Sequence, residues 1–168
     1  GDLHGANLYR ALRNEDAGAT AAGIGGSYMK EAGVALSKTY EELALIGFLE
    51  IVEKLGVIRA ALRQVKKELS EDRPDVLILI DYAGFNLRVA QFAKQLGIQV
   101  FYYISPKIWA WNVGRVHKIK RLVDRMFVIL PFEKEFYQKY GYEVDYVGNP
   151  IMDAISAFVP NPDFIAAN

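Results

Sequence analysis

Strand-like apolar runs alternate with helix-like apolar stripes along all 168 residues, a pattern that predicts an α/β domain built on a parallel sheet with helices on both faces. Two segments carry the prediction. Val76-Leu77-Ile78-Leu79-Ile80 is apolar with no polar alternation, as a strand covered on both faces requires, and it is the expected central strand. Ile51, Leu55, Ile58, Leu62, Val65 and Leu69 recur at alternating spacings of four and three, which gives one buried helix face.

The other elements follow in order. Leu8, Ala11 and Leu12 form a short helical stripe ended by Asn14 and Gly18, Thr20 to Ile24 reads as a strand closing in Gly25-Gly26, and Tyr28 to Ala32 as a helix stopped by Gly33. The long helix spans Phe48 to Leu69, and Pro74 breaks it. Past the Val76 strand come a helix from Phe85 to Leu96 ended by Gly97, a strand from Gln99 to Ile104, a helix from His117 to Val123 and a buried strand from Met126 to Leu130 stopped by Pro131. Phe132 to Tyr140 is helical up to Gly141, Val144 to Val147 is a short strand, and Gly148-Asn149-Pro150 turns into a last apolar segment, Ile151 to Phe158. This succession is a Rossmann-like order, with no internal repeat and no linker signal before Pro160-Asn161-Pro162.

Composition narrows the function classes. At 52% hydrophobic and 24% charged residues, the chain is one folded domain rather than a disordered one. Charged residues interrupt every apolar segment before the roughly 18 to 20 residues a membrane span needs. Twenty basic against twenty acidic residues give no net charge, so nucleic acid is not an expected partner. Zero cysteines exclude disulfides, thiolate chemistry and cysteine-rich zinc sites. Gly1-Asp2-Leu3-His4-Gly5 has no initiator Met, no basic stretch and no apolar stretch of a leader, and reads as the interior of a longer protein.

In doubly wound sheets ligands bind outside the carboxyl ends of the strands, so chemistry is sought just after each run. Asp81 directly follows five apolar residues, where a bound hydroxyl could meet it and partial burial would raise its basicity; capping the next helix is the plainer role. Gly1, Asp2 and Gly5 resemble the back half of a glycine-rich loop opening onto a helix N-terminus, although an N-capping Asp2 and a small Gly5 explain the same residues. Trp109 and Trp111, the only tryptophans, share a segment with Ser105, Pro106 and Lys107; aromatic faces can pack a sugar or acyl chain, or simply pin the loop to the sheet. From Lys107 to Arg125 the charged residues are Lys107, Arg115, Lys118, Lys120, Arg121 and Arg125 against Asp124 alone, a local positive field suited to phosphate or an acidic surface, or else a solvated helix face. Leu45, Phe48, Leu49 and Val52 fall well off the core face of the long helix, which leaves an apolar patch for lipid, a partner or the preceding segment. His4 and His117 have no metal-ligand spacing around them, and no phosphate-binding loop of standard form occurs.

These segments together resemble the N-terminal half of the lipid-A-disaccharide synthase family, inverting glycosyltransferases of GT-B architecture. The matching stretches are Gly1-Asp2-Leu3-His4-Gly5-Ala6-Asn7-Leu8, Gly23-Ile24-Gly25-Gly26, Glu41 to Phe48, Pro74-Asp75 with Ile80-Asp81, Phe85-Asn86, Tyr103-Ile104-Ser105-Pro106 with Trp109-Ala110-Trp111, Leu130-Pro131-Phe132-Glu133 and Val147-Gly148-Asn149-Pro150. One departure is Gly84, where many members carry a second Asp.

The resemblance implies transfer of 2,3-diacylglucosamine from its UDP donor to 2,3-diacylglucosamine 1-phosphate, giving the β-1,6 disaccharide of lipid A, with no cofactor and no metal. It implies residues 1–158 as the acceptor-side GT-B domain lacking its first strand, 159–168 as the start of an interdomain linker, and a donor-nucleotide domain beyond; the chain alone is then expected to be inactive. Asp81 becomes the candidate base. Gly1, Asp2, Gly5, Asn86, Ser105, Trp109 and Trp111 become the substrate-binding set. Arg115 and Lys118 are expected to meet phosphate or headgroups, and Leu45, Phe48, Leu49 and Val52 an anionic membrane surface, at the inner face of the inner membrane on the cytoplasmic side. The competing classes are a non-catalytic flavodoxin-like or receiver-like binding module and half of a UDP-sugar epimerase.

Overall fold

The computed structural model describes residues 1–39 and 51–156. Helix α1 (Asp2–Glu15) leads to strand β1 (Ala22–Gly25), the short helix α2 (Ser27–Glu31) and strand β2 (Ala35–Thr39). The long helix α3 (Ile51–Asp72) precedes β3 (Val76–Ile80), α4 (Ala83–Gln95) and β4 (Gln99–Tyr103). A short helix α5 (Ile108–Trp111), a 3-10 turn over Val113–Arg115, α6 (Val116–Leu122) and β5 (Arg125–Val128) follow. Helix α7 (Pro131–Gln138), β6 (Asp145–Tyr146) and α8 (Pro150–Ser156) complete the described chain.

Glycine punctuation works as the sequence predicts. Gly97 follows α4 at φ +76°, and the amides of Gly97 and Ile98 close back on the carbonyls of Lys94 and Ala93. That pairing satisfies the last carbonyls of the helix and needs a left-handed residue, which glycine adopts without a Cβ penalty. Proline opens α7 and α8, where its missing N–H costs nothing and its fixed φ suits a first helical turn.

All strand pairs are parallel. β1 pairs with β2, and a four-stranded sheet runs in the order β3-β4-β5-β6. The expected central strand is therefore an edge strand of the larger sheet among the described residues. Its apolar run is only partly covered: Leu79 is buried, Val76, Leu77 and Ile80 are half-buried, and with only β4 alongside Ile78 is left 37% exposed. β4 is the better covered strand, with Val100 and Tyr102 fully buried.

The main core packs Leu87, Ala90 and Ala93 of α4 and Val116, Ile119 and Leu122 of α6 against Val100, Tyr102, Met126 and Val128 of the sheet, with Tyr137 of α7 also buried in it. Strand β2 carries no matching sequence signal, because Ala35-Leu36-Ser37-Lys38-Thr39 is too short and polar to stand out as a run. The segment after β4 contains the helical turn α5 where the sequence suggests only a loop. The long helix continues to Asp72, three residues beyond its last stripe residue, Leu69. Its predicted start at Phe48, and the end of the last segment at Phe158, lie outside the described residues. Among those described, no helix is long and apolar enough to cross a membrane.

Candidate active site

Register brings the strand ends together. Ile80 pairs with Tyr103, and Tyr103 with Phe127, so β3, β4 and β5 finish at one edge of the sheet. The residues after them line a cleft of about 290 Å³: Asp81, Tyr82 and Ala83 from the first, Ile104 to Lys107 from the second, and Ile129, Leu130 and Glu133 from the third, with Trp111 at the side.

The turn carrying Asp81 is held in an uncommon conformation. Asp81 and Tyr82 sit at φ +54° and +40°, and Ile104, facing them from β4, at +64°. A non-glycine residue there costs on the order of 1–3 kcal/mol, most for a β-branched side chain, and such strain persists only where the surroundings enforce it. Two groups enforce it at Asp81. The Asn86 side-chain amide donates to the carbonyls of Ile80 (3.1 Å) and Asp81 (2.5 Å), and the Tyr102 hydroxyl donates to the Asp81 carbonyl at 2.5 Å. Burial pushes the Tyr102 phenol well above its usual range, so it remains a donor. Asn86, expected to bind substrate, thus holds the turn from behind and does not line the cleft. The Asp81 side chain itself is 57% exposed, so the partial burial expected from its strand-end position is not found.

Helix α1 starts beside this turn, with the Gly1 nitrogen 3.5 Å from Asp81 Oδ2. Asp2 faces the other way. Its carboxylate accepts the amides of Gly26 (2.7 Å), Tyr28 (3.1 Å) and Met29 (3.2 Å), capping α2 rather than the helix it stands on. Gly5 is a close-approach residue: a Cβ there would come within 2.7 Å of Met29 Sδ and 3.4 Å of Ile80 Cδ1, so its smallness lets α1 settle on α2 and β3. His4, the next polar side chain of α1, is half-buried; burial holds it below the usual imidazole range, and the Asp81 carboxylate opposes the shift.

The second wall is organised by Glu133. Its side chain is buried, 1% exposed, and four groups donate to it. Oε1 accepts the Ser105 hydroxyl and the Trp109 indole N–H (3.2 Å), while Oε2 accepts the amides of Ile129 (3.3 Å) and Leu130 (3.0 Å). The Tyr137 hydroxyl is buried beside this cluster; burial drives its phenol well above the usual range, Ser105 opposes the shift and the Glu133 charge adds to it. Trp109 is the pinned indole, packed edge-on against Phe132 at 4.9 Å. Trp111 is the open one, 70% exposed, with the Arg115 guanidinium 5.3 Å from its ring centre.

The structure therefore brings Asp81, Ser105 and Trp111 of the expected set to one cleft. It places Gly1 and Arg115 beside that cleft, while Asp2, Gly5, Asn86, Trp109 and Lys118 do not line it. Leu45, Phe48 and Leu49 lie outside the described residues, as does the side chain of Val52. Two contributors went unassigned in sequence, Tyr102 and Glu133, while Lys107 was named with the tryptophan segment and the basic stretch. Glu133 had a signal, since Pro at the first position of a helix and Glu at the third mark a helix start whose acid reaches back to the preceding amides. Among the described residues no group of three His, Asp or Glu side chains could hold a metal.

A parallel α/β sheet with a polar and aromatic cleft at its carboxyl edge defines an open-sheet ligand-binding domain. Its fold is shared with two solved structures described as UDP-N-acetylglucosamine 2-epimerase. One, from Listeria monocytogenes, has a TM-score of 0.67 at 13% identity over 96% of this chain and 46% of that one. The other has a TM-score of 0.66 at 11% identity over 96% of this chain and 49% of that one. Residues 1–164 match the family profile described as lipid-A-disaccharide synthetase, and the chain belongs to that family. It is similar to the lipid-A-disaccharide synthases of Trichlorobacter lovleyi (51% identity, 92% of this chain and 40% of that protein) and Geobacter metallireducens (46%, 99% and 44%). The chain thus spans less than half the length of these curated relatives.

Proposed function

We propose that this chain forms the acceptor-side part of a hexosyltransferase of lipid A biosynthesis. The reaction moves 2,3-diacylglucosamine from its UDP donor to 2,3-diacylglucosamine 1-phosphate, giving the β-1,6 disaccharide 1-phosphate and UDP. The acceptor 6-hydroxyl loses its proton, its oxygen bonds to the donor anomeric carbon, and the bond from that carbon to the UDP oxygen breaks with the electron pair leaving on UDP. Family membership supports the reaction class.

One observation supports Asp81 as the base. Two carboxylates line the cleft, and Glu133 is committed to four donors and buried, whereas Asp81 stands open at 57% exposure on a turn held by Asn86 and Tyr102. A base must reach the proton it removes. Asp81 takes that proton, Trp111 offers a face to the sugar or its acyl chains, and Lys107 and Arg115 attract the acceptor phosphate.

In this reading residues 1–158 form the acceptor domain, 159–168 begin the linker, and groups that stabilise departing UDP belong to a further domain. The off-core residues Leu45, Phe48, Leu49 and Val52 meet an anionic membrane surface at the cytoplasmic face, an assignment supported by their helical spacing in the sequence. The full-length protein, supplied with both substrates in detergent micelles, is expected to release UDP and form the disaccharide in equal amounts. A folded preparation that forms neither contradicts the proposal.

A further inference from the structure

We propose that Glu133 fixes the polarity of the cleft's inner wall, making Ser105 an acceptor there and so requiring a hydrogen-bond donor, a sugar hydroxyl or amide N–H, on the ligand group that meets it. The inference rests on the transferase reading for the kind of ligand, and on the following geometry for its orientation.

A serine hydroxyl carries one hydrogen and two lone pairs. The Ser105 hydrogen is committed to Glu133 Oε1. It cannot turn toward the cleft without leaving a buried carboxylate short of a donor, which is costly because the other donors to Glu133 are already engaged: Trp109 on the same oxygen, Ile129 and Leu130 on the second. Ser105 is 5% exposed and lines the cleft, so its two lone pairs are what remain, one within reach of the buried Tyr137 hydroxyl beside it and the other left to a ligand. Hydrogen bonding to a carboxylate also polarises the hydroxyl and makes that oxygen a better acceptor. Asp81, on the opposite wall, accepts as well.

The cations, unlike Ser105, are not buried. Lys107 is exposed, and Arg115 lies over Trp111, itself 70% exposed. The cleft therefore has a direction. A ligand enters with its hydroxyl or amide side toward Ser105 and Asp81 and its phosphate toward Lys107 and Arg115. A phosphate at Ser105 would face acceptors on both walls.

The test uses N-acetylglucosamine 1-phosphate as a soluble probe, together with analogues in which each hydroxyl in turn is replaced by fluorine, which resembles the hydroxyl in size but cannot donate. Binding to the full-length protein is measured by calorimetry for wild type and Ser105→Ala. At least one fluorine substitution is expected to weaken wild-type binding about tenfold or more, as sites built to bond a hydroxyl do, and to matter about twofold or less in Ser105→Ala. A wild-type profile indifferent to fluorine overturns the inference, as does a profile that survives unchanged in Ser105→Ala. Phosphate-free N-acetylglucosamine should keep the same ranking of positions with weaker affinity overall; loss of the ranking would mean that the phosphate, not the hydroxyls, meets Ser105. Failure of the probe to bind wild type at all overturns this inference, and absence of turnover with the acylated substrates overturns the transferase reading; a fluorine-indifferent profile with intact turnover removes this inference alone.

Discussion

The Trp109 indole N–H and the Ser105 hydroxyl converge on one oxygen of Glu133, which joins the segment after β4 to the start of α7. The other Glu133 oxygen holds the amides of Ile129 and Leu130. One buried side chain thus fixes an entire wall of the cleft.

Glu133→Gln preserves size but turns an NH₂ group toward groups that donate. It is expected to cost about 2–3 kcal/mol of stability, and Trp109→Phe, which keeps the ring contact with Phe132 but removes one donor, about 1 kcal/mol. Urea unfolding of both variants checks this. A Glu133→Gln midpoint equal to wild type would show that the carboxylate is not the organiser described.

Gly84 occupies the first turn of α4, where a Cβ would meet nothing within 4 Å. Gly84→Asp replaces a poor helix former with an acid near the positive end of the helix, and is expected to stabilise by about 0.5–1.5 kcal/mol. Thermal unfolding measures it. Destabilisation would mean that the space beside residue 84 is filled in the working protein.

Asp124 supplies the pH prediction. Burial disfavours its charge, but hydrogen bonds from Lys94 (2.6 Å) and the Val100 amide (2.8 Å), with the Lys94 charge, outweigh this and hold the carboxyl below its usual range. The folded state then binds this proton less readily than the unfolded one. The stabilisation is fully present above the unfolded value of about 4 and is lost as pH falls through the lower folded value. The Lys94 and Asp124 side chains are each about one-third exposed, so solvent screening limits the effect to about 1 kcal/mol. Asp124→Asn should be less stable than wild type at pH 7, and the gap should narrow toward pH 2. A gap independent of pH would remove the charge from the explanation.

Periodicity made most of the fold legible, because the apolar spacing of α3 and the apolar run of β3 mark a helix and a strand of the expected extent. Sheet position was not legible: hydrogen-bonded neighbours leave no mark on side-chain pattern, so β3, at the edge of the four-stranded sheet among the described residues, reads like a central strand. In the site, Asp81, Ser105 and Trp111 could be placed from their positions after strands, since all parallel strands end at one edge. What escaped was second-layer support. That Asn86 and Tyr102 both reach the Asp81 carbonyl, or that Asp2 caps a helix 24 residues away, depends on tertiary approach that no local spacing encodes.

Asp81→Asn in the full-length protein is the most direct measurement of the central claim. The substitution keeps the shape of a side chain that is 57% exposed, so folding should be undisturbed. If Asp81 takes the proton from the acceptor hydroxyl, kcat should fall about 10²- to 10⁴-fold with acceptor KM changed only a few-fold. A folded Asp81→Asn variant turning over at the wild-type rate would contradict the account.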